Sequence, residues 1–261
     1  MPSQPRRMLV LAHGYPWPDG SRSDSDLIEY ARSAVARWTD FAEACHAIVA
    51  APVFGGRDFP GYREMLGRDL DPGEFVNLLV DELGKEHIPR FTGRFSLHGH
   101  SAGAQFAARY LVTHPERLED VVLSAPSTYP FPDPAIPWPN GMAPAGGHGP
   151  GASRAPFIPK PACWLTAASK VSVNVLVGSG DTQPRPAAPG QHGSTRIERA
   201  VAWVDSMRHH AETSHVVATI QLVLAAGLDH DEESMAVPAQ RILHSRFTIT
   251  GPGRGEADRE S

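Results

Sequence analysis

Ser101 sits at the centre of Gly99-His100-Ser101-Ala102-Gly103, with a glycine at each second neighbour. That spacing suits a sharp turn from a strand into a helix, where larger side chains on either side of the serine would collide. Such a turn exposes the hydroxyl and aims the helix N-terminus at it, whose free N–H groups favour a developing oxyanion. A serine hydroxyl is a weak nucleophile at neutral pH and needs a base. The chain offers 13 histidines. His230, in Gly227-Leu228-Asp229-His230-Asp231, is the best placed, because it closes an apolar strand-like run near the chain end. His209, His210 and His215 lie in or beside a predicted helix, His244 lies in the last predicted helix, and His192 lies in a loop. The base needs an acid to fix its tautomer and stabilise its imidazolium. Asp181, in Gly178-Ser179-Gly180-Asp181, ends another such run, with Asp133 as its main competitor. Ser101, Asp181 and His230 follow one another at intervals of 80 and 49 residues.

An oxyanion needs two donors. The backbone N–H of Ala102 is one, and the Tyr15 N–H, in His13-Gly14-Tyr15-Pro16-Trp17, is the other, since Pro16 has none. His13 is expected to brace that loop, and Trp17 to line the pocket or pack at the surface. Asp229, Asp231, Glu232 and Glu233 surround His230 and raise the question of a metal; they read instead as a solvated acidic helix start. Neither a metal nor a cofactor is expected.

These residues need a frame. Apolar runs at 7–12, 46–51, 120–125, 171–177 and 215–225 predict strands, and residues 94–98 are read as another. Helices are predicted over 24–44, from Asp71-Pro72 onward, and over 102–113, 195–210 and 233–245. Strands alternating with helices imply βαβ units, a mostly parallel central sheet and helices on both faces. One segment breaks the pattern: between Pro126 and Pro161 lie eleven prolines and five glycines. It follows a strand, at the sheet edge where α/β ligands bind. It is read as part of a proline-rich cap insertion over 126–170, with Tyr129, Phe131 and Trp138 as an apolar substrate-binding wall. Residues 1–250 then form a single domain, and 251–261, which lack core-forming side chains, a mobile tail.

The chain has 261 residues, 41% of them apolar and 20% charged, with a net charge of −5. Nothing in it suggests a nucleic-acid footprint, which would need a basic face, and no apolar run reaches membrane-span length. The apolar stretch Met8-Leu9-Val10-Leu11 is too short for a signal-peptide core, so a cytoplasmic location is expected. Two cysteines, Cys45 and Cys163, do not suggest a disulfide framework and are read as buried free thiols. A monomer or a homodimer is expected.

The sequence resembles the α/β-hydrolase superfamily, and within it the serine branch of dienelactone-hydrolase-like and polyhydroxybutyrate-depolymerase-like esterases. The likeness rests on His13-Gly14, Gly99-His100-Ser101-Ala102-Gly103, Gly178-Ser179-Gly180-Asp181 and Asp229-His230, and on Arg196-Ile197-Glu198-Arg199-Ala200 with Trp203 in the following helix. It spans residues 7–246. It implies an eight-strand-like, mostly parallel sheet and cleavage of a small-molecule ester through an acyl-enzyme, with Ser101, Asp181 and His230 as the triad. Many depolymerases of the branch are secreted, and this chain shows no signal. The stretch 126–161 matches no cap of the branch, so the branch's substrates do not carry over. The same triad serves a thioesterase, an acyltransferase or a carbon–carbon bond hydrolase equally well, and a non-catalytic binding protein would share the fold without turnover. Haloalkane and epoxide enzymes are disfavoured, since they use a carboxylate where this chain has Ser101.

Overall fold

A computed structural model of the chain describes residues 6–14, 23–144 and 160–249. Six strands form one sheet in the order β2-β1-β3-β4-β5-β6, every adjacent pair parallel. They are β1 (Arg7–Ala12), β2 (Ala47–Ala50), β3 (Phe95–His100), β4 (Leu118–Ser124), β5 (Ser172–Gly178) and β6 (Ile220–Ala225). The order reverses direction at β1, which is where open α/β sheets bind their ligands, at the carboxyl ends of the strands. The sheet has six strands among the described residues, against the eight implied by resemblance.

Among the described residues the α-helices are α1 (Asp24–Arg37), α2 (Thr39–Cys45), α3 (Pro72–His87), α4 (Ala102–Thr113), α5 (Pro161–Lys170), α6 (Arg196–Thr213) and α7 (Glu232–Ile249). They cover both faces. One core holds Val76 of α3, Phe106 of α4, Trp164 of α5 and Trp203 of α6. The other packs Phe41 of α2 and Met235, Ala239 and Leu243 of α7 beneath Leu9, Leu11, Val122 and Leu176. Central strands buried on both faces explain the apolar runs within β1, β4 and β5.

Four features differ from the sequence reading. The helix predicted over 24–44 is two helices, capped by Ser23 and broken at Trp38, which turns inward onto Phe41 and His98. β6 starts at Ile220 rather than 215, because the Val216 and Thr219 N–H groups go to the carbonyls of Ala211 and Ala168 at helix ends. The end of the expected insertion is a helix, α5, with Pro161 in its first turn and Trp164, Ala167 and Ala168 buried. Cys45 and Cys163 are free but half-buried rather than buried.

The proline-rich segment also corrects an expectation. Tyr129, Phe131 and Trp138 are 0%, 2% and 3% exposed and belong to the main core, so none forms an open substrate wall. Tyr129 stacks on Trp203, whose Nε1–H donates to the Pro130 carbonyl at 2.5 Å. Local bonds from Phe131 N–H to Asn140 O and from Trp138 N–H to Ala143 O fold the loop on itself. Apolar side chains among the prolines therefore anchor 126–144 to α6. Residues 145–159 of the expected cap and the tail 251–261 lie outside the described residues.

Candidate active site

β3 passes into α4 through Ser101, whose backbone is held at φ 52°, ψ −110°. A non-glycine residue at positive φ is strained, and the surroundings must impose it. Here the Ser101 N–H donates to Ser124 O at 2.8 Å, tying the turn to the end of β4. The flanking glycines make room: a Cβ at 103 would lie 1.9 Å from Ala12 O, at the end of β1. No other residue lets α4 start so close to β1.

The three predicted side chains meet. His230 Nε2 lies 3.0 Å from Ser101 Oγ, and His230 Nδ1 lies 3.1 Å from Asp181 Oδ2. A carboxylate can only accept, so Nδ1 carries the hydrogen and Nε2 faces the serine hydroxyl as acceptor. Asp181 hangs from the end of β5 and His230 from the loop after β6, and backbone bonds lace the two loops together. Ser179 N–H donates to Ala225 O at 2.9 Å, and Gly180 N–H to Leu228 O at 2.7 Å. The competitor Asp133 instead accepts from Ala135 N–H in its own loop.

Asp181 is fully buried, which opposes its charge. The His230 hydrogen bond and the Arg196 guanidinium outweigh that burial and hold its carboxyl below the usual carboxylate range. Arg196 Nη1 donates to Asp181 Oδ1 at 2.7 Å, so both carboxylate oxygens are engaged. The sequence reading gave Arg196 no such role. A signal was present: residues 196, 199, 200, 203, 204, 207 and 211 form the buried stripe of α6, and a buried arginine demands an acceptor.

His100 packs against His230, ring centroids 4.9 Å apart. Burial, with the neighbouring His230 adding, pushes His100 down to about 3, so it stays neutral and places no like charge beside an imidazolium. His13 is 2% exposed and braces the end of β1. Its Nε2 accepts from Phe54 N–H at 3.1 Å, so its Nδ1–H donates to Gly14 O at 2.7 Å. The acids near His230 are spent locally. Asp229 accepts from His230 N–H and Asp231 from Ser234 N–H, while Glu232 meets Tyr30 and Arg37 rather than open solvent. Among the described residues no cluster of three histidine, cysteine or acidic side chains could hold a metal ion, and no helix is long and apolar enough to cross a membrane.

Ala102 is the first residue of α4, so its N–H belongs to the helix start beside Ser101. Tyr15 and Trp17 lie outside the described residues. Gly14, which precedes Tyr15, sits where a Cβ would be 3.5 Å from His100 O.

No family model and no curated protein matches the sequence. Solved structures do. A poly(aspartic acid) hydrolase-1 from Sphingomonas sp. KT-1 aligns over 92% of this chain and 88% of its own, with a TM-score of 0.71 and 20% identity. A poly(3-hydroxybutyrate) depolymerase from Bordetella parapertussis aligns over 97% and 82%, with a TM-score of 0.72 and 19% identity. An S-formylglutathione hydrolase from Agrobacterium tumefaciens aligns over 95% and 86%, with a TM-score of 0.51 and 13% identity. These likenesses establish the fold: an all-parallel six-stranded sheet of the α/β-hydrolase type.

Proposed function

We propose that this protein is a serine hydrolase that cleaves an ester through an acyl-enzyme, with Ser101 as nucleophile, His230 as base and Asp181 as its orienting acid. The observation that carries the reading is the unbroken relay from Ser101 Oγ to His230 at 3.0 Å and from His230 to Asp181 at 3.1 Å. A poly(3-hydroxybutyrate) depolymerase and an S-formylglutathione hydrolase share the fold, which agrees with it.

His230 Nε2 takes the Ser101 proton as Oγ attacks the ester carbonyl. The developing oxyanion is held by the Ala102 N–H at the start of α4. The imidazolium gives its proton to the leaving alcohol. A water then enters, loses a proton to His230, and attacks the acyl-serine. Asp181, kept ionised by Arg196, stabilises the imidazolium through both halves of the cycle.

Labelling with a fluorophosphonate, followed by peptide mapping, should modify Ser101 alone. Ser101→Ala should lower kcat on an activated ester by about 10^5-fold while leaving the circular dichroism spectrum and melting unchanged. Label on another residue, or turnover retained in the alanine variant, would overturn the assignment. A parallel panel of thioesters and of alcohol acceptors separates ester hydrolysis from thioester cleavage and acyl transfer.

A further inference from the structure

The loops that follow β2, β4 and β5 enclose a cavity of about 320 Å³ beside α4. Its walls include Arg63, Glu64, Gln105, Arg109, Arg185 and Arg199. Four guanidinium groups thus face one carboxylate. Arg109 and Arg199 are 1% and 2% exposed, and their donors go to neutral acceptors. Arg109 bonds the carbonyls of Pro139 and Gln105, the Thr128 hydroxyl and the Asn140 amide oxygen. Arg199 bonds the carbonyls of Gly193, Ser127 and Pro186. These bonds fix the geometry of both groups through neutral acceptors, while the one lining carboxylate, Glu64, also pairs with Arg63 at 3.6 Å, so the lining guanidinium groups outnumber their counterion. Burial pushes Arg109 down to about 10, with Glu64 opposing and Arg63 adding to the shift. Burial and the neighbouring Arg185 push Arg199 down as well. Arg185 Nε is itself buried with no partner. Uncompensated buried cations are costly, and an anion with several lone pairs relieves that cost.

One wall of the cavity lies on α4, the helix that begins after Ser101. Gln105 N–H donates to Ser101 O at 3.1 Å, one turn along α4, and the Gln105 side chain, which bonds Ser127 and Thr128, lines the cavity. At 1.5 Å per residue, Gln105 and Arg109 stand roughly 6 and 12 Å along the helix from Ser101. A short diacid chain spans that interval. The geometry points to an anion subsite: we propose that this cavity takes a carboxylate carried by the substrate, so that the protein prefers half-esters of dicarboxylic acids to neutral esters. The inference rests on the proposed function for the chemistry at Ser101, but the binding of the acid group does not.

The test uses the full chain and two readouts. The first compares kcat/KM for mono-p-nitrophenyl adipate with that for its methyl-capped diester. The wild type should favour the half-ester by tenfold or more, and added salt should shrink that ratio. Arg185→Gln should bring the ratio close to one, mostly through KM, and Arg185→Lys should restore part of it. Arg63→Gln, at a side chain 45% exposed and so less exposed to folding failure, should also reduce it. Arg32→Gln, at a side chain 75% exposed on α1, should not. The second readout is calorimetric binding of free adipate and of inorganic phosphate to Ser101→Ala protein, where Arg185→Gln should weaken adipate at least tenfold. Hydrolysis of both esters with a ratio near one, or a ratio untouched by the two arginine variants, overturns the subsite and leaves the hydrolase reading standing. Adipate binding that depends on Arg185 without turnover of any ester does the reverse. Phosphate binding tighter than adipate, with no half-ester preference, overturns the carboxylate in favour of a free-anion site.

Discussion

The Ser101 hydroxyl and the His230 imidazole can be arranged in many proteins; what specialises this pair is the anion behind it. Asp181 is sealed from solvent with one oxygen on His230 and the other on Arg196. On the proposed function, Arg196 therefore acts through Asp181 rather than on a substrate. Arg196→Gln should leave KM nearly unchanged and lower kcat by about tenfold, because a weaker anion stabilises the imidazolium less. The Asp181 carboxyl, followed by carbon NMR, should titrate at higher pH in the variant than in the wild type, since the cation that lowers it is gone. An unchanged titration would make Arg196 a packing residue only. At this scale the meeting of Ser101, Asp181 and His230 was readable because each follows a predicted strand, in that order, whereas the bond from Arg196 was not. Its partner lies 15 residues away across a loop, a contact that only the fold brings about. The aromatics Tyr129, Phe131 and Trp138 misled for a related reason. Proline-rich surroundings suggest an open loop, but nothing in their spacing reveals that α6 presents Trp203 for Tyr129 to stack on.

Between elements, the site depends on how closely two loops approach. The end of β5 carries Asp181 and the end of β6 carries His230, and Gly178 is where the loops touch. A Cβ at 178 would lie 2.4 Å from Leu228 O and 2.7 Å from Asp229 O. Gly178→Ala should therefore displace the His230 loop. We expect kcat/KM to fall by about 10^2-fold, the effect of a misplacement near 1 Å, with a stability loss of about 1–3 kcal/mol. Gly56→Ala, where a Cβ meets nothing within 4 Å, is the matching control and should leave both unchanged. Ester kinetics and urea titrations of the two variants decide it; equal behaviour would mean that the loops tolerate the extra methyl group. The elements themselves were largely visible in the sequence. The helix over 102–113 and the strand before it fall where the turn chemistry demands. The failures lie at ends, as at 215–219, where propensity favours a strand but the available acceptors are helix carbonyls.

Across the whole molecule, the fold withholds protons from its histidines. On β3, Ser96, His98 and His100 point to one face, and their alternation with Phe95, Leu97 and Gly99 suggests a half-exposed strand, yet all six residues are buried beneath helices. Burial pushes His98 and His100 down to about 3 and His114 to about 4, each with help from neighbouring cations, and lowers His13 as well. The unfolded chain binds protons at these sites near pH 6.5, while the folded chain refuses them until much lower pH. Stability from these groups is thus fully present above about pH 7 and is lost as pH falls from about 6.5 toward 3. A histidine held near 3 contributes a loss of about 2 kcal/mol between pH 7 and pH 5. Asp181, lowered in the folded state, adds to the decline only at still lower pH. Unfolding at pH 5 should therefore take up about three protons for His98, His100 and His114 together, measurable by calorimetry in buffers of different ionisation enthalpy. Unfolding at pH 5 without proton uptake would mean that these rings are protonated inside the core.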